Sequence, residues 1–400
     1  MKKIIIRKRT SAVWLATLCI LLCRPIVLPA VDNPDFASTL IEQLEYKPAR
    51  HLGVQGHGMD ADRVDEILSE AYHSSGLKPF WVQPDGPGER AKIIFDTLKA
   101  SKLHGLNPNM YYVDKIEKYW KRRDAVGLVR LDILLTLGLR GYVCDMREGR
   151  IEPRKVDPKL FSTARDVEFD FDALREQALS ATDMTAFLNH QAPPFLQYQS
   201  LVKALKAYRE IEKAGGWKSI PSGKVLKPGM EDMRVNLIRI RLALTGDLMD
   251  VESEGSLYDN EVVTAVKNFQ SRHGLEVDGI TGKNTLSVMN VPVEDRIRQI
   301  IINMERYRWV KRQTEDRMIL VNIAGFRAAG IKPKEGKIEI VMPVIVGREY
   351  HKTPVFSNAI EYIEFNPYWN VPPGIARNEM LRKLYPGADE RENLPCRKEL

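Results

Sequence analysis

Four cysteines and seven histidines are the side chains of this 400-residue sequence that could supply nucleophilic or metal chemistry. A thiol attacks as its thiolate, which requires a cationic or dipolar neighbour to lower its pKa and a base to take its proton. Cys396 sits in LPCRKEL beside Arg397 and Lys398, but its nearest histidine in sequence is His351. Cys144 ends a long apolar run and reads as a small packed hydrophobe. Cys19 and Cys23 fall within the first 30 residues, so a chain that sheds this segment keeps two widely separated cysteines. Such a pair makes neither a metal site nor a disulfide framework. No metal ligand set and no cofactor is expected.

The elements that would position any chemistry begin after the N-terminal segment. Residues 1–30 place Lys2, Lys3, Arg7, Lys8 and Arg9 ahead of an apolar run from Ala12 to Cys23, and end in Leu28-Pro29-Ala30. That is the pattern of a cleavable signal or an uncleaved anchor, and the run is short for a full membrane span. The segment also carries six of the 60 basic residues and none of the 53 acidic ones. Without it the chain is close to neutral, which removes the case for a nucleic-acid partner despite a pI of about 9.0.

Residues 32–216 read as mostly helical. Asp60 or Asp62 opens a helix carrying Val64, Ile67, Leu68 and Ala71, and residues 89–104 make a second that ends at Gly105. From Ala125 to Cys144 the chain is apolar on nearly every face, the signature of a central, fully surrounded helix. Another helix spans about Pro194 to Ala214, with Tyr198, Leu201, Leu205, Tyr208 and Ile211 as its stripe. Next comes a compact unit. Asp259 is placed to cap a helix whose Val262, Val266 and Phe269 form one stripe, with Tyr258 and Val263 as a hydrophobic staple. Gly274 ends that helix, Asp278-Gly279 turns the chain, and Thr281 is expected to cap a short helix carrying Leu286 and Met289.

AVKNFQSRHGLEVDGITGKNTL resembles the peptidoglycan-binding repeat, through Phe269-Gln270, His273-Gly274-Leu275, Asp278-Gly279 and Thr285-Leu286. The following NMERYRW, from Asn303 to Trp309, resembles the join to a YkuD-type catalytic domain. The phrases FWV (80–82), HGLNPNMYY (104–112), LDILLTLGLRGYVCDMREGRIEP (131–153) and VDP (156–158) resemble the scaffold domain of the large periplasmic L,D-transpeptidases of the YcbB type. Beyond Arg317 the period shifts to that of strands. KIEIVMPVIVG sends Ile338, Ile340, Met342, Val344 and Val346 to one face, and EYIEFNPYWNVPPGIA resembles the strand and loop leading into a YkuD active site. In that segment Tyr368 and Trp369 are the candidate substrate-binding residues, flanking a groove if they are not packed in a core.

The resemblance implies an α+β multidomain fold. Its parts are a signal or anchor over 1–30, a mostly helical scaffold over 32–216, a small helical peptidoglycan-binding module over 226–292, a linker helix over 293–316, and an incomplete β-rich YkuD-type domain over 317–400. It also implies thiol acyl transfer in the periplasm. The third residue of a tetrapeptide stem is attacked, the terminal D-Ala leaves, and the acyl group passes to a diaminopimelate amine, with no cofactor and with peptidoglycan as the partner. The S/T-H-G-C motif that the family uses for this is missing. His-Gly occurs at His57, His104 and His273, never followed by Cys, so no catalytic residue is assigned. Two readings stand: a transpeptidase family member that stops short of its nucleophile and is inactive, and a non-catalytic wall-binding protein.

Overall fold

A helix that is apolar all round must be enclosed, and the run from Ala125 supplies one. In the computed structural model it forms α4, Ala125–Glu148; the earlier helices are α1 (Phe36–Glu45), α2 (Ala61–Ser74) and α3 (Glu89–Ala100). The structure describes residues 35–52, 60–158, 170–249, 255–310, 312, 316–348 and 352–381. The signal or anchor segment, Cys19, Cys23, His351 and Cys396 lie outside them. Among the described residues no helix is long and apolar enough to cross a membrane.

Asp124 caps α4, its carboxylate accepting from the Gly127 N–H at 2.9 Å. One side of α4, with Leu131, Leu135 and Tyr142, enters the main core with α3, α5 (Phe171–Ser180) and α6 (Leu196–Lys213). The other side, with Val129, Ile133 and Leu137, closes a second core against Leu40, Leu44, Val64, Leu68 and Tyr72 of α1 and α2. Asp132 lies fully buried in the middle of this helix. Its carboxylate accepts from the N–H groups of Phe80 (3.0 Å), Trp81 (2.7 Å) and Val82 (3.0 Å) and from the Tyr72 hydroxyl (2.7 Å). Thr136, one turn on, takes the Trp81 indole N–H at 2.8 Å. Val82–Gln83 pairs with Gly86–Pro87 in a two-stranded hairpin, and α4 satisfies the N–H groups of Phe80 to Val82 from the side. Gly138 lets the chain approach α4 closely: a Cβ there would sit 2.9 Å from the Tyr111 carbonyl oxygen.

Residues 220–292 form a separate small core of Ile220, Leu226, Val235, Ile238, Leu242, Tyr258, Val262, Val266, Phe269 and Met289. Its helices are α7 (Arg234–Leu244), α8 (Asn260–Arg272) and α9 (Lys283–Met289). The chain then enters α10 (Val293–Arg308), the helix expected to be a linker. It does more than connect. Val293, Ile297 and Met304 of α10 join the main core, and α10 lies along α6. Arg308 is buried against Glu305 at 2.7 Å, and Glu305 accepts from the Ile151 N–H at 2.9 Å.

Three strands follow as an antiparallel meander: β1 (Met318–Asn322), β2 (Arg327–Lys332) and β3 (Lys337–Pro343). Met318 pairs with Ile331 and Arg327 with Pro343, with a bulge at Gly330/Ile331. The strand is shorter than its sequence pattern: Val344 and Val346 lie past its end, and every residue of β3 is exposed, Ile338, Ile340 and Met342 included. From Phe356 the chain belongs to a second unit. Within it residues 356–372 form no strand, against the reading of Glu361 to Ala376 as strand and loop, and a short turn of helix covers Pro373–Ile375.

Replacing Asp132 with Ala should lower the unfolding free energy by roughly 3 kcal/mol or more, since several buried donors lose their acceptor at about 1–3 kcal/mol each. A urea midpoint unchanged from wild type would contradict this role. Amide exchange should rank α4 slowest and β3 fastest among the regular elements, because β3 has no covered face; equal protection of the two would refute it.

Candidate functional site

The wall-binding motif residues converge on one side chain. Gln270, on the last turn of α8, is 1% exposed, and both ends of its amide are hydrogen-bonded. Its amide nitrogen, with two hydrogens, is shared among three acceptors, Asp278 Oδ1 (2.7 Å), the Ile280 carbonyl (3.0 Å) and Thr285 Oγ1 (3.2 Å), and its oxygen accepts from the Gly279 N–H (2.9 Å). The FQ, DG and T-L pairs are thus the parts of one hydrogen-bonded node beneath Phe269. Gly279 has φ +73°, and a Cβ there would come within 2.9 Å of Val263. Asp259 caps α8 as its position predicts, accepting from the N–H groups of Glu261 and Val262. Thr281 does not cap the next helix. Its hydroxyl pairs with Tyr258 Oη at 2.9 Å, and Gly282 stands at the cap without a side-chain bond. Tyr258 is buried, and its hydroxyl is satisfied by the Gly279 carbonyl at 2.9 Å together with Thr281.

The two chains that leave and re-enter the scaffold are bonded to each other. Asn290 exchanges two hydrogen bonds with the Ile220 backbone at 2.8 and 2.9 Å, and the Trp217 indole donates to the Val291 carbonyl at 3.1 Å. Over this neck lies Arg241 of α7, its guanidinium 3.6 Å from the Trp217 ring centroid and the residue 1% exposed. It donates to the Met289 carbonyl (3.0 Å) and Thr245 Oγ1 (3.1 Å). Arg272, His273 and Arg296 lie close enough for their charges to act on one another and on Arg241. Burial and these arginines hold the His273 imidazole down at about 4, and burial lowers Arg241 to about 10. Sequence reading passed over Arg241 because it stands in an alternating RIRLAL run, where an arginine reads as solvent-facing.

The other sequence candidates are placed apart. Tyr368 and Trp369 are 92% and 68% exposed in a segment without regular structure, so neither is a core residue. Cys144 is a buried free thiol whose pKa burial pushes far up, the reverse of what a nucleophile needs. His104 ends its helix and meets the Tyr198 hydroxyl at 3.1 Å, a structural contact; burial and then Arg308 lower it to about 4. Among the described residues no cluster of His, Cys, Asp or Glu could hold a metal ion.

Protein-family models match the chain in three places: "Scaffold domain" over residues 66–205, "Putative peptidoglycan binding domain" over 234–289, and "L,D-transpeptidase catalytic domain" (YkuD) over 316–395. The last of these matches puts an L,D-transpeptidase catalytic domain in the C-terminal part of the chain. The order of its parts is that of the YcbB type. Among curated proteins no relative matches. The Gln270 node lies inside the matched wall-binding model, and the β1–β3 meander inside the matched catalytic one.

Phe269→Ala should cost the module about 3–5 kcal/mol, the usual penalty for emptying a buried aromatic site; a denaturation midpoint within error of wild type would contradict it. Stability should also fall on acidification. His104 and His273 are held at about 4 against an ordinary 6.5, so between those values the unfolded chain takes up protons that the folded chain refuses. Their contribution is complete above about pH 6.5 and is lost as pH falls toward 4. Asp132, held up to about 6 by burial, works the other way below pH 6, so the histidine effect is read as a difference. The pH 7 to pH 5 drop in urea midpoint should be smaller in His104→Gln than in wild type, and an equal drop would refute the assignment.

Proposed function

We propose that this chain works outside the cytoplasm, in the periplasm, as a peptidoglycan-associated protein of the L,D-transpeptidase family. The single observation that carries the reading is the ordered match of scaffold, wall-binding and YkuD models along one chain. Residues 1–30 act as its signal or anchor. The module over 226–292 holds the wall, with its Gln270 node fixing the loop from Asp278 to Thr285. Tyr368 and Trp369 contribute to recognition of the stem peptide, in keeping with their exposure.

The reaction of the family is acyl transfer through a cysteine. The part of this function that the described residues support is binding to peptidoglycan. The one thiol among them, Cys144, is buried with its pKa raised and is not the nucleophile. A thiolate without a base and without N–H groups aimed at the tetrahedral oxyanion lacks the main sources of rate enhancement.

The purified chain should sediment with insoluble sacculi and should lose that property with Phe269→Ala at temperatures where the module unfolds. A chain left wholly in the supernatant would overturn the wall-binding role.

A further inference from the structure

Among the described residues, the cations at the neck outnumber the anions. Arg241, Arg272 and Arg296 come together from α7, α8 and α10, with Trp217 beneath Arg241 and Tyr208 of α6 alongside. The one carboxylate within the group among the described residues is Asp247, and it is engaged by Arg272 through two bonds of 2.7 and 2.6 Å. Asp295 acts on Arg296 from the flank but pairs with Arg298 at 2.5 Å. Arg296 itself donates to the Gln299 side chain (2.9 Å) and the Val288 carbonyl (2.7 Å), both neutral.

Three buried nitrogens in this group find no hydrogen-bond partner among the described residues: Arg241 Nη2, Arg296 Nε and His273 Nε2. A guanidinium taken out of water without an anion is costly, and stacking on an indole offsets only part of that cost. Like charges gathered around it add to the cost rather than reduce it. Folded proteins rarely keep buried donors unsatisfied, and a site that does so next to surplus positive charge is suited to an anion. The fork of a guanidinium matches a carboxylate in particular.

We infer that the Arg241–Arg272–Arg296 cluster at the neck is a receiving site for a carboxylate of the peptidoglycan stem peptide, an inference that rests on the wall-binding reading above. Arg296, half-buried and in no ion pair with a carboxylate among the described residues, is the arm that meets ligand first. Arg241, behind it, supplies the unsatisfied donor. The site would therefore join wall recognition to the point where the module meets the scaffold.

The test uses the full chain, a disaccharide-tetrapeptide with free carboxyl groups, the same compound amidated, and insoluble sacculi. Calorimetry should show the free-acid form binding about tenfold or more tightly than the amidated form, and weakening as salt rises. Arg296→Gln should lose about the same factor and Arg296→Lys should recover part of it, with the thermal midpoint of both variants near wild type. Arg296→Gln leaves Asp247 and its Arg272 partner intact, so a folding defect is not expected to mask the result. Equal binding of the two muropeptides, or no effect of Arg296→Gln, or no muropeptide binding at all, would overturn the site. If the sacculi still sediment the chain in those cases, the wall-binding reading survives. Arginine-dependent muropeptide binding without sedimentation would leave the site standing and remove that reading.

Discussion

The scaffold is closed by a charge that has nowhere else to go. Arg308, at the end of α10, is buried and gives hydrogen bonds to Glu305, to the His104 carbonyl and to the Tyr198 hydroxyl. Glu305 in turn accepts from the Arg150 and Ile151 N–H groups at the end of the α4 region. A buried ion pair adds little stability in itself, but removing one partner strands the other, so its geometry is strongly enforced. The consequence is positional. α10 can dock in one register only, and with it the exit of the wall-binding module and the start of the β1–β3 meander.

Asp132 plays the corresponding part at the other end. It holds Phe80–Val82 against α4, which allows Trp81 to enter the core and Phe80 to stack on Tyr72 with 4.6 Å between ring centroids. Burial raises its pKa to about 6, while the bonds it accepts pull the other way. These two carboxylates, Asp132 and Glu305, bind backbone N–H groups outside the helices, and so convert loop and hairpin segments into fixed parts of a helical body.

Much of this was legible in the sequence wherever the signal is local. The caps Asp60 and Asp259, the enclosure of α4 and the closing glycines Gly105 and Gly274 each depend on neighbours within a turn or two. What was missed depends on distant partners. Nothing in the stripe of Val293, Ile297 and Met304 distinguishes a linker from a helix that completes a core begun by α6. Thr281 looks like a cap until Tyr258, 23 residues earlier, claims its hydroxyl. Arg241 looks solvent-facing until Trp217 is laid beneath it. Over Glu361 to Ala376 the resemblance implied a strand and loop, yet a strand needs a ladder partner, and none pairs with 356–372 among the described residues.

The neck bonds between Ile220, Trp217, Asn290 and Val291 make the wall-binding module an insertion held at both ends. A domain on a single tether transmits load by peeling its attachment one bond at a time. A domain held at both feet, between two helices lying side by side, passes the load into those helices as shear, spread over the whole length of the α6–α10 contact. If the wall moves while the module holds it, the strain is shared by the Val293, Ile297 and Met304 packing instead of falling on one hinge. The attachment can then be firm without any single strong bond.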